Sequence, residues 1–311
     1  MDRVIRLFFA VYCLVLYSLV FSFNNKRSFE IGMLPNKNFN DTLLTEKKHW
    51  KWTFVKNLFD RYQNRNEAEQ FLRIPLICHH IWLGSPLPKE NIKLRDSWID
   101  KHPDWQFILW TDKPENYRYG VQARSVKELQ ELLMLGEKQI VFDIQYVTLN
   151  NQNMLQLSKN LGQKSDILRY EILYMFGGLY VDTDFECLKA FDALHYHLDF
   201  YTGIGYSGSF SLLNGLIGAT AGNPILKRCI DNLRITCNSV VGIINSTGPK
   251  YFSRCFFDML QKGYNGRVVA FPTIYFYPWP SYARNETERA LIAKWFCSES
   301  FAVHHWHCSW M

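Results

Sequence analysis

Two aspartates two residues apart, Asp182 and Asp184, stand in the run DILRYEILYMFGGLYVDTDFECL, directly after a Gly-Gly pair. Read as a strand, LYVDTDF alternates, so that Tyr180, Asp182 and Asp184 face one way while Leu179, Val181, Thr183 and Phe185 face the other. Carboxylates this close repel each other and are costly to bury unless a cation or a set of donors neutralises them. Oxygen ligands suit Mg²⁺ or Mn²⁺, and an ion held this way keeps open positions for water or substrate phosphates. The spacing therefore points to a site for a metal diphosphate. The plainer alternative is an aspartate pair at a strand end that caps the next helix or meets solvent.

Upstream, Asp166, Arg169 and Tyr170 share one face of a helix, opposite an apolar stripe of Leu168, Ile172 and Met175. Alone, an acid and a guanidinium one turn apart would be a surface ion pair worth little. Gly177-Gly178 then ends the helix through left-handed backbone geometry and turns the chain into the strand, so the helix face and the aspartates meet at one corner.

The surrounding elements form an alternating series. IPLICHHIWLG from Ile74 is a buried strand, SPLPKENIKLRDSWIDKHPDW a helix that stops before Pro103, and WQFILWTD a second strand. Lys113 to Gln139 is expected to be mostly helical, IVFDIQYVTL a short strand or loop, and Asn151 to Phe176 helical with a break at Gly162. After LYVDTDF come a Gly-rich stretch from Gly203 to Gly218, helices at Pro224–Ile235 and Pro249–Leu260, strands RVVAFP and IYFYP, and a helix around Asn285 to Phe296. The order argues for an α/β fold with a mainly parallel central sheet. Its ligands would collect at the carboxyl ends of the strands, where Trp82, Asp112 and the two aspartates fall.

The chain has 311 residues, 48% apolar and 21% charged, enough for one large domain. Its net charge of +6 is spread along the chain, which gives no argument for nucleic acid but favours anionic ligands such as phosphates. Leu7 to Phe23 carries no charge and lies between Arg6 and Lys26, near the lower limit for crossing a bilayer core. It reads as a retained signal-anchor, a cleaved signal peptide and a buried helix of a soluble domain being the alternatives. The expected organisation is an anchor over residues 1–23, a stalk with a leading helix over 24–72, and a catalytic domain over 73–311. Triplets at Asn40, Asn245 and Asn285 match the glycosylation pattern of a luminal chain. The eight cysteines contain no C-x-x-C pair, so neither a zinc ribbon nor a thioredoxin-type site is indicated.

These residues carry a resemblance. SDILRYEILYMFGGLYVDTD resembles the D-x-x-R…GG-x-Y-x-D-x-D signature of glycosyltransferases with a D-x-D sugar-binding region. That group includes yeast-type α-1,6-mannosyltransferases, inositol-phosphoceramide mannosyltransferases, α-1,4-galactosyl- and N-acetylglucosaminyltransferases and, more distantly, the large clostridial glucosylating toxins. HHIWLGSPLPKENIKLRDSWIDKHPDWQFILWTD is similar to the family's opening strand, helix and second strand, and AVHHWHCSW to its C-terminal element. The resemblance implies a GT-A (Rossmann-like) fold, a UDP- or GDP-hexose donor, Mn²⁺ (or Mg²⁺), retention of configuration and a glycan or glycolipid acceptor. By the same resemblance Trp82 would stack on the base, and Asp166 and Arg169 would contact the donor sugar or its phosphate, with Tyr180 beside them. Asp182 would hold the ribose and share the metal, and Asp184 would ligate it directly. His304 or His305 would contact metal or phosphate, and Ser309 with Trp310 would close over the leaving diphosphate. His307 leaves that register open, because imidazole at any of the three could serve Mn²⁺. With an anchor, the enzyme would sit in the Golgi or secretory lumen of a eukaryote or the inner membrane of a bacterium.

Three rival readings differ in kind. A haloacid-dehalogenase-type phosphohydrolase also carries D-x-D after an apolar strand, with the first aspartate as nucleophile. A sugar-nucleotide-binding protein of the same fold without catalysis would be suggested by loss of one of Asp166, Arg169, Asp182 or Asp184, yet all are present. A zinc site built from HHWHC lacks a second ligand cluster.

Overall fold

The run ICHHIW forms the central strand β1, Ile77–Trp82, buried along nearly its whole length as a strand covered on both faces must be. β2, Gln106–Thr111, lies parallel to it in register, with Ile77 opposite Gln106 and Trp82 opposite Thr111. The computed structural model describes residues 28–33, 50–65, 71–206, 210–236, 242–286 and 288–307. The apolar run Leu7–Phe23, Asn40, Ser309 and Trp310 lie outside them.

The remaining strands are β3 (Val121–Ala123), β4 (Gln139–Asp143), β5 (Gly178–Val181), β6 (Phe185–Cys187), β7 (Phe200–Tyr206), β8 (Phe210–Ala219), β9 (Val268–Phe271) and β10 (Ala302–His304). Eight of them form one sheet in the order β3-β4-β2-β1-β5-β8-β7-β9, and β6 pairs with β10 in a separate antiparallel ribbon. Every neighbouring pair in the large sheet is parallel except β5–β8 and β8–β7. The expected mixed α/β fold with a mostly parallel sheet is therefore present. The Gly-rich stretch is the β7–β8 hairpin, with an irregularity between Thr202 and Gly203.

Several element boundaries differ from expectation. LYVDTDF is not one strand: β5 ends at Val181, Asp182 N–H donates to Gly215 O on β8, and Phe185 N–H donates back to Asp182 O, closing a tight turn before β6. IYFYP is the helix Thr273–Phe276, because Pro272 stands where a helix begins and all four helical residues are buried, so no alternation could be read. Between Lys113 and Gln139 the main helix is only Val126–Met134, capped by the Ser125 hydroxyl and preceded by β3. The expected break at Gly162 falls earlier: one helix ends at Leu157 and the next, Leu161–Phe176, starts with the Asn160 side chain accepting from Gln163 N–H. The helix around Asn285 to Phe296 contracts to Arg289–Ala293.

The helix Trp50–Gln63 packs on β9, Phe59 meeting Phe271 with ring centroids 6.2 Å apart. Among the described residues no helix is long and apolar enough to cross a membrane. The described cysteines, Cys78, Cys187, Cys229, Cys255 and Cys297, are free thiols.

Candidate active site

The helix Leu161–Phe176 enters the core so completely that Asp166 and Arg169 are each only 5% exposed; their pair is buried, not a surface feature. Such charges need full satisfaction, and they have it. Asp166 Oδ1 accepts from Asn214 Nδ2 at 2.7 Å and pairs with Arg169 Nη2 at 3.3 Å, while Oδ2 accepts from Thr247 Oγ1 at 2.9 Å. Arg169 donates through Nη1 to Asn214 O at 2.7 Å, through Nη2 to Ser165 Oγ at 3.1 Å, and meets Asp182 Oδ1 at 3.1 Å. Its guanidinium lies 4.4 Å from the centre of the Tyr180 ring, and the Tyr180 hydroxyl donates to Asp182 Oδ1 at 2.6 Å.

The corner that delivers the aspartates is built from glycine. Gly177 and Gly178 have φ of 64° and 100°, and a Cβ at Gly178 would stand 2.5 Å from Ile77 O. Two buried histidines of β1 clamp the strand beyond that corner: His79 Nε2 bonds Gly177 O at 2.8 Å and His80 Nδ1 bonds Val181 O at 3.0 Å, at the two ends of β5.

Beyond Val181 the turn brings Asp182 and Asp184 together with β10. One ligand atom from each of Asp182, Asp184 and His304 lies within 4.8 Å of the others. His304 Nε2 is 2.9 Å from Asp184 Oδ1, and His307 N–H donates to Asp184 Oδ2 at 2.9 Å. His304 is held by Phe185 and Trp306, whose ring centroids lie 4.5 and 4.2 Å away. His305 turns aside to Glu186, at 3.1 Å, and takes no part in the cluster.

Burial pushes the Asp182 carboxyl up, Asp184 adding to the effect while Arg169 opposes it. Burial would also raise Asp184, but His304 and the His307 N–H outweigh it and hold that carboxyl at about 2. Asp166 is raised by burial, against Arg169, Thr247 and Asn214. Burial works against charge on Arg169 as well, yet Asp182, Tyr180 and Asp166 outweigh it and raise its pKa further. Two facing carboxylates and an imidazole whose buried Nδ1 has no hydrogen-bond partner make a donor set that fits a divalent cation.

These groups line one cavity of about 290 Å³, together with Trp82, Ser165, Asn214, Gly215 and Trp306. Of the residues singled out in the sequence, Trp82, Asp166, Arg169, Asp182, Asp184 and His304 line this cavity. Tyr180 lies behind them, Ser309 and Trp310 fall outside the described residues, and Asp112 instead accepts from Gly84 N–H at 2.8 Å. Missed from the sequence were Asn214, Gly215, Thr247 and the His307 amide. Asn214 and Gly215 sat in the Gly-rich stretch, and only pairing of β8 with β5 brings them to Asp166 and Asp182, whereas Thr247 reaches Asp166 from the end of the short helix Ile243–Ser246.

A mostly parallel α/β sheet delivers paired carboxylates, a buried arginine and a histidine to one cavity. Residues 88–201 match the protein family described as the glycosyltransferase sugar-binding region containing DXD motif. The chain is similar to inositol phosphoceramide mannosyltransferase 3 of Schizosaccharomyces pombe, 28% identical over 198 residues, which are 62% of this chain and 48% of that protein. It is also similar to the subversion of eukaryotic traffic protein A of Legionella pneumophila, 29% identical over 178 residues, 54% of this chain and 26% of that protein. The chain thus spans about half the length of the first curated relative and about a quarter of the second. Among solved structures it is similar to the PaToxG glycosyltransferase, with a TM-score of 0.48, 19% identity, and coverage of 68% of this chain and 80% of that one. Residues 88–201 thus match the DXD sugar-binding region of glycosyltransferases, as the chain's motifs indicated, and the Schizosaccharomyces pombe relative is named a mannosyltransferase. The matched span includes Asp166, Arg169, Asp182 and Asp184 and stops before Asn214, Thr247 and His304.

Proposed function

We propose that the protein is a retaining, metal-dependent glycosyltransferase of GT-A type that moves a hexose from a nucleotide sugar to a glycan or glycolipid acceptor. The observation that carries this is the convergence of Asp182, Asp184 and His304 within 4.8 Å, with Arg169 at 3.1 Å from Asp182, at the buried end of the cavity that Trp82 also lines. Asp182, Asp184 and His304 would hold Mn²⁺ or Mg²⁺, which supplies positive charge for the departing diphosphate. Arg169, fixed by Asp166, Asn214 and Ser165, offers a preorganised second cation to the same phosphates, so no side chain has to reorganise as charge develops. Trp82 presents an indole for the base. Trp306 on the wall, with the following segment that contains Ser309 and Trp310, would exclude water that otherwise hydrolyses the donor.

In this reading the catalytic domain comprises residues 73–311, and a stalk and the apolar segment Leu7–Phe23 ahead of it would hold the chain to a secretory or inner membrane. Hydrolysis of a panel of UDP- and GDP-hexoses by the full chain, with Mn²⁺ and with chelator, tests the assignment and identifies the donor. Metal-dependent release of one nucleoside diphosphate is expected, with loss of turnover in Asp184→Asn. Equal rates with Mn²⁺ and chelator, or no reaction with any nucleotide sugar, would overturn it; binding of a nucleotide sugar with no release would favour the non-catalytic binding protein.

A further inference from the structure

One wall of the cavity carries exposed apolar side chains. Asp166 and Arg169 are 5% exposed, whereas Leu161 and Ile244 on the same cavity's wall are 43% and 49% exposed. Leu157, four residues before Leu161, is 75% exposed. A single apolar side chain in water is ordinary, but two on one cavity wall, with an exposed third close by in sequence, mark a contact surface.

The two segments that bring Leu161 and Ile244 to the wall carry charges of one sign. No Asp or Glu occurs from 144 to 165 or from 242 to 257, although the chain contains 29 acidic residues. The same two stretches carry Lys159, Lys164, Lys250 and Arg254, and Lys159, Lys250 and Arg254 are exposed. The exposed pair Met134 (80%) and Leu135 (82%) offers a contrast, because Glu131 and Glu137 flank it.

We propose that the cavity mouth rests on a bilayer surface containing anionic lipid, with Leu157, Leu161 and Ile244 in the interface and Lys159, Lys164, Lys250 and Arg254 against headgroup phosphates. Apolar side chains inserted at the acyl boundary and cations against an anionic leaflet are each favourable, and here they interleave on two adjoining segments. A soluble polyanion would satisfy the cations and leave the apolar residues in water. The orientation rests on the glycolipid-acceptor reading given above: a headgroup would enter from the mouth and reach the carboxylates while its lipid stays in the membrane.

Hydrogen exchange on the full chain tests this, with phosphatidylcholine vesicles lacking or containing phosphatidylserine. Amides of 152–163 and 243–250 should exchange several-fold more slowly with the anionic vesicles, and those of 131–137 should not change. The triple variant Leu157→Ser, Lys159→Glu, Lys250→Glu should lose that protection and keep donor hydrolysis in detergent, which reports the fold and the transferase reading separately. Equal exchange with both vesicle types would overturn the proposal. So would protection by heparin without vesicles, or protection in lipid-free protein that disappears when residues 1–27 are removed, which would identify the chain's own N-terminus as the cover.

Discussion

A methyl group at Gly215 would stand 2.6 Å from Asp182 Oδ2. The atom in the way is the tip of a side chain, so Gly215→Ala should leave the fold intact and displace the carboxylate. We expect at least a tenfold loss of kcat/KM for donor hydrolysis, about 1.4 kcal/mol of lost stabilisation, and weakened Mn²⁺ binding by calorimetry, with little change in Tm. Thr247 makes a complementary case, because its buried hydroxyl donates to Asp166 and its shape is matched by valine. A hydrogen bond to a charged group contributes roughly 1.5–3 kcal/mol. Thr247→Val should therefore lower donor kcat/KM by about ten- to a hundredfold, and Thr247→Ser should restore most of it. A valine variant as active as the parent would show that Asp166 needs no help from this hydroxyl.

At the scale of elements, the corner between the helix Leu161–Phe176 and β5 decides whether the carboxylates arrive at all. Gly178 has φ of 100° and would drive a Cβ to 2.5 Å from the backbone at Ile77. Unlike Gly215, it faces backbone that cannot step aside, so Gly178→Ala should destabilise by more than about 1–2 kcal/mol, seen as a lower denaturant midpoint. Glycine's role here was legible from the Gly-Gly pair after a helical run, and so was the meeting of Asp166, Arg169 and the aspartates. The means by which Asp182 and Asp184 converge was not: alternation put them on one strand face, whereas a turn pinned to Gly215 brings them together. Nor could the sequence choose among the C-terminal histidines. That choice depends on the pairing of β10 with β6, which sets His304 opposite Phe185 and sends His305 to Glu186. Local periodicity reports faces and turns; it carries no information about which distant strand will be the neighbour.

For the whole molecule, the alternation of strands and helices after Ile74 sufficed to expect a mostly parallel sheet, but not the antiparallel β8 that supplies Asn214 and Gly215. The buried core also sets an acid limit. His79, His80, His102 and His195 are buried, and each ring has one nitrogen facing a carbonyl. Their other nitrogens receive Trp110 Nε1, a long contact with Cys78 Sγ, the Phe191 amide and the Tyr201 hydroxyl, as neutral imidazoles would. Burial lowers His79 to about 4 and His80 and His195 to about 3, and it lowers His102 as well. Folded pKa values below the unfolded value near 6.5 mean that the unfolded chain binds more protons, so stability is full above that pH and falls as pH drops towards 4. Each histidine can contribute up to about 1.4 kcal/mol per pH unit across that window. Urea midpoints should be level from pH 7 to 8 and decline steeply between 6.5 and 4.5, with a shallower decline in His195→Gln.

Thr247 has a second position in the chain: it completes the triplet Asn245-Ser246-Thr247. Removal of a glycan acceptor can be engineered at either end of such a triplet, and here the two ends are not equivalent. Thr247→Ala silences the triplet and cuts the hydrogen bond to Asp166 in the same stroke, whereas Asn245→Gln leaves the contacts of Asp166 with Asn214, Thr247 and Arg169 in place. Activity lost with the first change and kept with the second would be a defect of the carboxylate, not of a missing sugar coat.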